Sequence, residues 1–280
     1  MKISILGTGL MGTAMGTAIL NAGIPLVVYN RTKSRTESLV SKGAVAVDTA
    51  EEAIKASDIS IFVMIDGKAV LESISSFPEN VFKNKIIISA SSATIDEGNR
   101  MCKIVTDGGG EFADMSIEVG ADAVATSQGV LRLGARESTF KKIQPIFQSF
   151  CSEVTRVGDA GDARKLEAVA LVGSMLSGIN VAYMTAFAQK IGLPSSIYEP
   201  YIAIFEPAAA YVIDKMTAHK YDEILASIES YVQGLTTSIE NAESLNIPAG
   251  VLKESLELYK KAVAKGYAGK DGTAVIEALL

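Results

Sequence analysis

Three short stretches of this chain bring together residue types that do chemistry only in combination. The first is Gly7-x-Gly9-x-x-Gly12, set between the apolar run Ile3–Leu6 and the helix-forming stretch Met11–Asn21. In such a strand–turn–helix, Gly7 allows the tight turn, Gly9 lets main chain approach a pyrophosphate, and Gly12 lets helix and strand pack closely. The N–H groups at the helix start and its positive end then favour an anion. Leu10 and Met11, inside the turn, are read as cofactor contacts with the three glycines, and the cofactor is a dinucleotide. The second stretch, Asn30-Arg31-Thr32, ends the next apolar run, Leu26–Tyr29. A carboxylate there would hold a ribose hydroxyl and repel a 2′-phosphate. Asn30 does not repel one, Arg31 offers a planar fork and Thr32 a hydroxyl. Lys33 and Arg35 add positive charge, so the reading is NADP. The third stretch contains Lys165 and Glu167.

Reduction by a nicotinamide needs a positioned proton donor beside the hydride. Lys165 stands one turn into a predicted helix, where its ammonium can face a cleft, hydrogen-bond a substrate oxygen and give up a proton, helped if partial burial lowers its pKa. The single histidine, His219, is far from these stretches and reads as a surface residue. In a doubly wound sheet ligands lie beyond the carboxyl ends of the strands. That places Met64 and Ile65 against the cofactor and puts Ser91 and Ser92 where the nicotinamide should sit. No metal-ligand set is read from the chain.

The elements that must position these residues follow from hydrophobic patterning. Strand candidates fall at Ile3–Leu6, Leu26–Tyr29, Ala44–Val47, Ile59–Met64, Lys85–Ile88, Glu111–Asp114, Gly129–Leu133 and Glu153–Arg156, with helical patterns between them. The alternation predicts an α/β fold: an N-terminal Rossmann doubly wound, mainly parallel sheet. After Gly158–Gly161 only helices are predicted, at Asp162–Lys190, Ser195–His219, Tyr221–Leu245, Ala249–Lys265 and Asp271–Leu280, with Pro194, Pro200, Pro207 and Pro248 near their starts or breaks. Residues 1–160 are therefore expected to form an NADP-binding domain and residues 161–280 an all-helical domain for substrate and dimerisation.

A chain of 280 residues, 48% apolar and 21% charged, is of ordinary globular composition. Its net charge of −6 offers no basic patch and argues against nucleic acid. Two cysteines, Cys102 and Cys151, without C-x-x-C spacing read as apolar fillers in a reducing compartment, which with a core strand at the start of the chain points to the cytoplasm. Residues 166–188 are apolar for long enough to suggest a membrane span. Glu167, Asn180 and the small residues among them favour instead a helix buried on most sides. The surplus apolar surface of the helical half favours a homodimer.

The chain resembles the β-hydroxyacid dehydrogenases, the group of 3-hydroxyisobutyrate dehydrogenase and the glyoxylate/succinic semialdehyde reductases, with imine reductases more distant. The likeness runs the whole length, on ILGTGLMGTAMG at 5–16, YNRT at 29–32, SASSAT at 89–94, GDARKLEA at 161–168 and GYAGKDGTAVIEAL near the end. It implies a Rossmann domain, a 6-phosphogluconate dehydrogenase-like helical domain, a dimer, Lys165 as catalytic acid/base and Ser91 beside the nicotinamide. The departures lie in the substrate site. The family's D-x-P-V-S-G-G loop is DMSIEVG here, keeping Asp114 and Gly120 but placing Glu118 for the serine. Val169 stands for an asparagine, and Gln233-Gly234 for a Lys-Asp pair. Glu118 would repel a carboxylate, so Glu118, Gly120, Val169 and Gln233 are expected to border a neutral or cationic small molecule. Imine reductases place a carboxylate or tyrosine in this helix, which makes Glu167 the second candidate acid. The expected activity is NADPH-dependent reduction of a small carbonyl or imine. The alternatives are a β-hydroxyacid dehydrogenase with an altered carboxylate pocket, or an NADP-binding protein without catalysis.

Overall fold

Runs of four apolar or small residues, buried along their whole length, form the middle of a sheet: β1 (Ile3–Leu6), β4 (Ile59–Phe62) and β5 (Ile86–Ser89). Continuous burial on both faces is what a parallel sheet with helices on each side demands. The other strands are β2 (Leu26–Tyr29), β3 (Val45–Ala46), β6 (Glu111–Ile117), β7 (Val130–Ala135) and β8 (Glu153–Gly158). Their order is β3-β2-β1-β4-β5-β6-β7-β8, and every pairing is parallel except β6 with β7. Successive strands are thus added to one side of β1 up to β3 and to the other side from β4 onward, and the switch between β1 and β4 is the place where such sheets open a crevice at their carboxyl ends.

The helices of this part are α1 (Leu10–Asn21), α2 (Glu37–Val40), α3 (Ala50–Lys55), α4 (Gly67–Ser75), α5 (Ile95–Asp107), α6 (Ala121–Ala125) and α7 (Glu137–Phe147). Capping boxes start α3 and α5: Thr49 and Thr94 accept from the main chain of Glu52 and Glu97, whose carboxylates reach back. Ile5, Met15, Ile19, Val28, Ile61 and Ile88 make the core on one face of the sheet; Leu6, Phe62, Ile87 and Met101 make it on the other.

This computed structural model describes residues 1–206 and 209–280, with side chains described except at Glu79, Phe205, Ala210 and Tyr211; Pro207 lies outside the described residues. It divides into two compact units, Met1–Glu167 and Ala168–Leu280. The second contains the later turns of α8 (Asp162–Lys190), then α9 (Ser195–Phe205), α10 (Ala209–Ala218), α11 (Ile228–Ser244), α12 (Gly250–Ala262) and a short 3-10 segment, Gly272–Ala278. Its core gathers Met175, Ile179, Ile213, Leu235, Tyr259 and Ile276. Pro194 caps α9, while Pro200 lies inside that helix.

Two expectations change here. The stretch from Tyr221 is irregular up to Ile228, because the buried Lys215 ammonium donates to Glu223 O and the Leu225 N–H donates to Asp271 (3.0 Å), holding this segment out of a helix. Helix α8 is not buried on most sides. It is long and apolar enough to cross a membrane by length and composition, yet only 28% of its most apolar window is buried. Tyr183 and Phe187 are exposed on it, so its apolar surface is presented outward.

Candidate functional site

The turn after β1 separates the work of its three glycines. Gly7 has φ +109°, and a Cβ there would lie 2.2 Å from Val63 O. At Gly12 a Cβ would lie 1.9 Å from Gly7 O. Both are required by the fold itself. Gly9 differs: its φ is −72° and a Cβ would meet nothing within 4 Å. Gly9 also begins α1 with no side-chain cap and no acidic residue in the first turn. The helix start is left with its N–H groups unsatisfied and open space before them, which suits a phosphate. Leu10 and Ile65 are exposed and Met11 and Met64 half-buried around it.

The end of β2 is tied to this turn. Thr8 donates its N–H to Asn30 Oδ1 (3.1 Å) and its hydroxyl to Arg35 O (2.9 Å), while Asn30 Nδ2 donates to Thr32 O (2.9 Å). Asn30 therefore spends its amide on holding the loop to the glycine turn. Arg31 is exposed and has no hydrogen-bond or ion-pair partner among the described residues. Lys33 does not add free charge as expected, since Asp48 matches it at 2.5 Å.

At the end of β5 the Ser91 hydroxyl is buried and occupied. It accepts from Met64 N (2.8 Å) and donates to Phe62 O (3.3 Å), pinning the loops after β4 and β5 together. The hydroxyl proton of Ser91 is thus spent within the fold.

The start of α8 is anchored by a group that sequence reasoning missed, Arg164. Its side chain is 1% exposed. One end of the guanidinium, Nη1, donates to Ser91 O (2.7 Å) and to Glu167; the other, Nη2, donates to Met115 O. Asp114, fully buried on β6, accepts from Gly161 N (2.6 Å) and Arg164 N (2.7 Å), so its carboxylate fills the helix start as an anion would. Burial pushes the Asp114 carboxyl up, opposed by the Gly161 N–H and the Arg164 charge. Glu167, 15% exposed, is held by Arg164 and by the Ser92 hydroxyl (3.3 Å). Burial is the largest influence on it and raises its carboxyl above the usual range, against the pull of Arg164 and Ser92. No sequence signal singled out Arg164, which stands among the charged residues Asp159, Asp162, Lys165 and Glu167.

Lys165 lies on the opposite side of the same turn. Its side chain is 61% exposed and its Nζ donates to Asp162 Oδ1 (2.7 Å). That bond and the Asp162 charge raise its pKa, so the expected lowering by burial does not occur. Glu118, after β6, is not an unmatched charge: Arg132 of β7 lies 3.2 Å from it and also pairs with Glu153. Gly120 begins α6. Val169 is 75% exposed on α8, and Gln233 is half-buried on α11. The neighbouring Gly234 packs on Met175 and Leu171 of α8. His219 is exposed and bonded to Glu277 (2.6 Å).

Residues 2–158 match the model of a family described as the NAD binding domain of 6-phosphogluconate dehydrogenase. A 2-hydroxy-3-oxopropionate reductase of Escherichia coli K12 is 26% identical over 100% of this chain and 97% of its own. Among solved structures, a Mycobacterium tuberculosis 3-hydroxyisobutyrate dehydrogenase with L-serine superposes with a TM-score of 0.86 at 18% identity, covering 99% and 98% of the two chains. An imine reductase from Myxococcus stipitatus in complex with NADP+ gives 0.68 at 23%, covering 100% of each.

Proposed function

This chain belongs to the family of the 6-phosphogluconate dehydrogenase NAD-binding domain, within the β-hydroxyacid dehydrogenase superfamily, and from that membership we propose that it is an NADPH-dependent reductase of a small carbonyl or imine compound. The observation that carries the cofactor assignment is the open glycine turn at Gly9 with the unpartnered Arg31 beside it. Gly7, Gly9 and Gly12 would admit the pyrophosphate, with Leu10, Met11, Met64 and Ile65 around it, and Arg31 and Thr32 would take the 2′-phosphate. The cofactor when bound supplies a hydride. Lys165 is the proton donor in this reading: it is protonated at neutral pH, exposed, and aimed by Asp162. Residues 1–160 serve the cofactor and residues 161–280 substrate and dimerisation, a division supported by the compact units 1–167 and 168–280.

A homodimer is part of this proposal, supported by the exposed stripes Tyr183–Phe187–Ile191 on or just beyond α8 and Ile197–Tyr201–Ile204 on α9. Light scattering that shows a stable monomer at micromolar concentration would refute it. Two free cysteines are consistent with a cytoplasmic enzyme. One observation favours a second reading of the substrate. Because Arg132 matches Glu118, the loop after β6 repels a carboxylate less than its sequence suggests, which keeps a hydroxyacid dehydrogenase in view.

A panel of aldehydes, ketones, imines and hydroxy acids followed by NADPH fluorescence tests both. Turnover of carbonyls or imines but not hydroxy acids supports the first reading. Preference for hydroxy acids supports the second, and tight NADPH binding without turnover of any overturns both.

A further inference from the structure

Three cations stand at the corner after β2, and the fold treats them unequally. Arg31 and Arg35 are exposed with no side-chain partner among the described residues, whereas the Lys33 ammonium lies 2.5 Å from Asp48. The sheet itself brings Asp48 there. Val27 and Val28 of β2 pair with Val45 and Ala46 of β3, and Val47 N donates to Val28 O (3.0 Å). Carried forward, that register sets Asp48 beside Asn30, so an acid stands next to the corner read as the 2′-phosphate site. Its carboxylate has no part in starting α3. The capping box there is made by Thr49 and Glu52, and Asp48 gives Glu52 only a main-chain N–H (3.0 Å). The side chains of Lys33 and Asp48 are both 73% exposed, so the core needs neither.

We propose that Asp48 is a specificity-determining residue that holds Lys33 off the 2′-phosphate and so narrows the preference of this protein for NADPH over NADH. The proposal rests on the reading of Arg31 and Thr32 as the 2′-phosphate site. A carboxylate and a phosphate compete for one ammonium, and here the carboxylate is already in contact with it. With Asp48 ionised, a bound phosphate meets two free cations, Arg31 and Arg35, while the charge of the third is matched. An ion pair between two exposed side chains is weak, so the phosphate has only to outbid a mobile partner and not to break a fixed mount. NADH carries a hydroxyl in place of the phosphate and makes no such claim on Lys33. Asp48 therefore acts on one cofactor and not on the other.

The test titrates wild type, Asp48→Asn and Lys33→Gln/Asp48→Asn with NADPH and with NADH, followed by cofactor fluorescence at ionic strengths of about 0.01 M and 1 M. At the lower salt Asp48→Asn is expected to bind NADPH about 2- to 5-fold more tightly than wild type, with NADH affinity unchanged. The double variant is expected to return to the wild-type NADPH affinity, because removing a matched pair leaves the phosphate the same two cations. At the higher salt the gain should shrink, as it must for exposed charges. An NADPH affinity of Asp48→Asn equal to wild type at the lower salt overturns the proposal. So does a gain that survives in the double variant, since Lys33 then has no part in it, and so does an equal gain for NADH. Failure of the underlying reading looks different. Equal affinities of wild type for the two cofactors would remove the NADP assignment, yet a preference created by Asp48→Asn would still place the phosphate beside Lys33. A wild type that prefers NADPH, with no gain in Asp48→Asn, keeps the assignment and discards the role of Asp48.

Discussion

Two strand-to-helix turns in this protein use the same physics to opposite ends. The turn from β1 into α1 leaves its helix start uncapped, with empty space at Gly9. The turn from β8 into α8 begins a helix whose first N–H groups are already taken by the Asp114 carboxylate, at 2.6 and 2.7 Å. A helix N-terminus attracts an anion in both places. In the first the protein leaves the anion to a ligand, and in the second it supplies its own. A helix start is therefore a ligand site only where the fold withholds its own carboxylate. The satisfied turn is free to serve as a rigid mount, and Arg164, Glu167 and Ser92 add to its rigidity while Lys165 projects from it.

The sharpest way to break this comparison is to remove the group carried by the mount. If Lys165 is the proton donor proposed above, Lys165→Ala should lower kcat by about 10²–10⁴-fold while NADPH affinity changes little, since Lys165 lies in a different turn from Gly9. Parallel loss of affinity, measured by fluorescence titration, would show that the two turns are not separate in function. The mount itself comes next. Asp114→Asn takes the charged acceptor away from the Gly161 and Arg164 N–H groups while Arg164 keeps Glu167, and should cost about 1–3 kcal/mol of unfolding free energy in a denaturant titration. A variant as stable as wild type would mean that the self-capping carries no weight.

Within the open turn, Gly12→Ala should destabilise the apoprotein by about 1–3 kcal/mol, since the new methyl collides with Gly7 O. Gly9→Ala should leave the apoprotein melting temperature unchanged and weaken NADPH binding. If Gly9→Ala melts lower and binds normally, the space at Gly9 belongs to the fold and not to a ligand. The smallest effect is expected at Arg31→Ala, which removes one charge-assisted contact to the 2′-phosphate. NADPH affinity should fall about 10- to 100-fold with NADH affinity constant. Equal affinities of wild type for the two cofactors would remove the NADP assignment.

Sequence patterning alone located β1, β2 and α8 at their observed limits, and it identified the glycine turn and the Asn30–Thr32 corner. These features are local. A buried parallel strand is a short apolar run, and a phosphate-binding turn is written in consecutive glycines. Strand direction is not local: β7 has the same pattern as its neighbours yet runs antiparallel to β6. The helix α6 went unnoticed because five residues carry too little periodicity to be seen.

At the candidate site the division is the same. Lys165 was visible through its place near a helix start and through family likeness, but its Asp162 partner was not among the expectations. Glu167 was expected only as a second acid, and its immobilisation could not be foreseen. Arg164 was overlooked because its meaning arises where β5, β6 and α8 meet: Ser91, Met115, Asp114 and Glu167 lie 73, 49, 50 and 3 residues from it in the chain. The sequence by itself determined which residues could bind a dinucleotide and which could carry a proton, because residue type and short spacing suffice for that. Only the tertiary structure decided which charges are already spent on each other, because the partners that neutralise a buried charge are brought into contact by folding and not by their order in the chain.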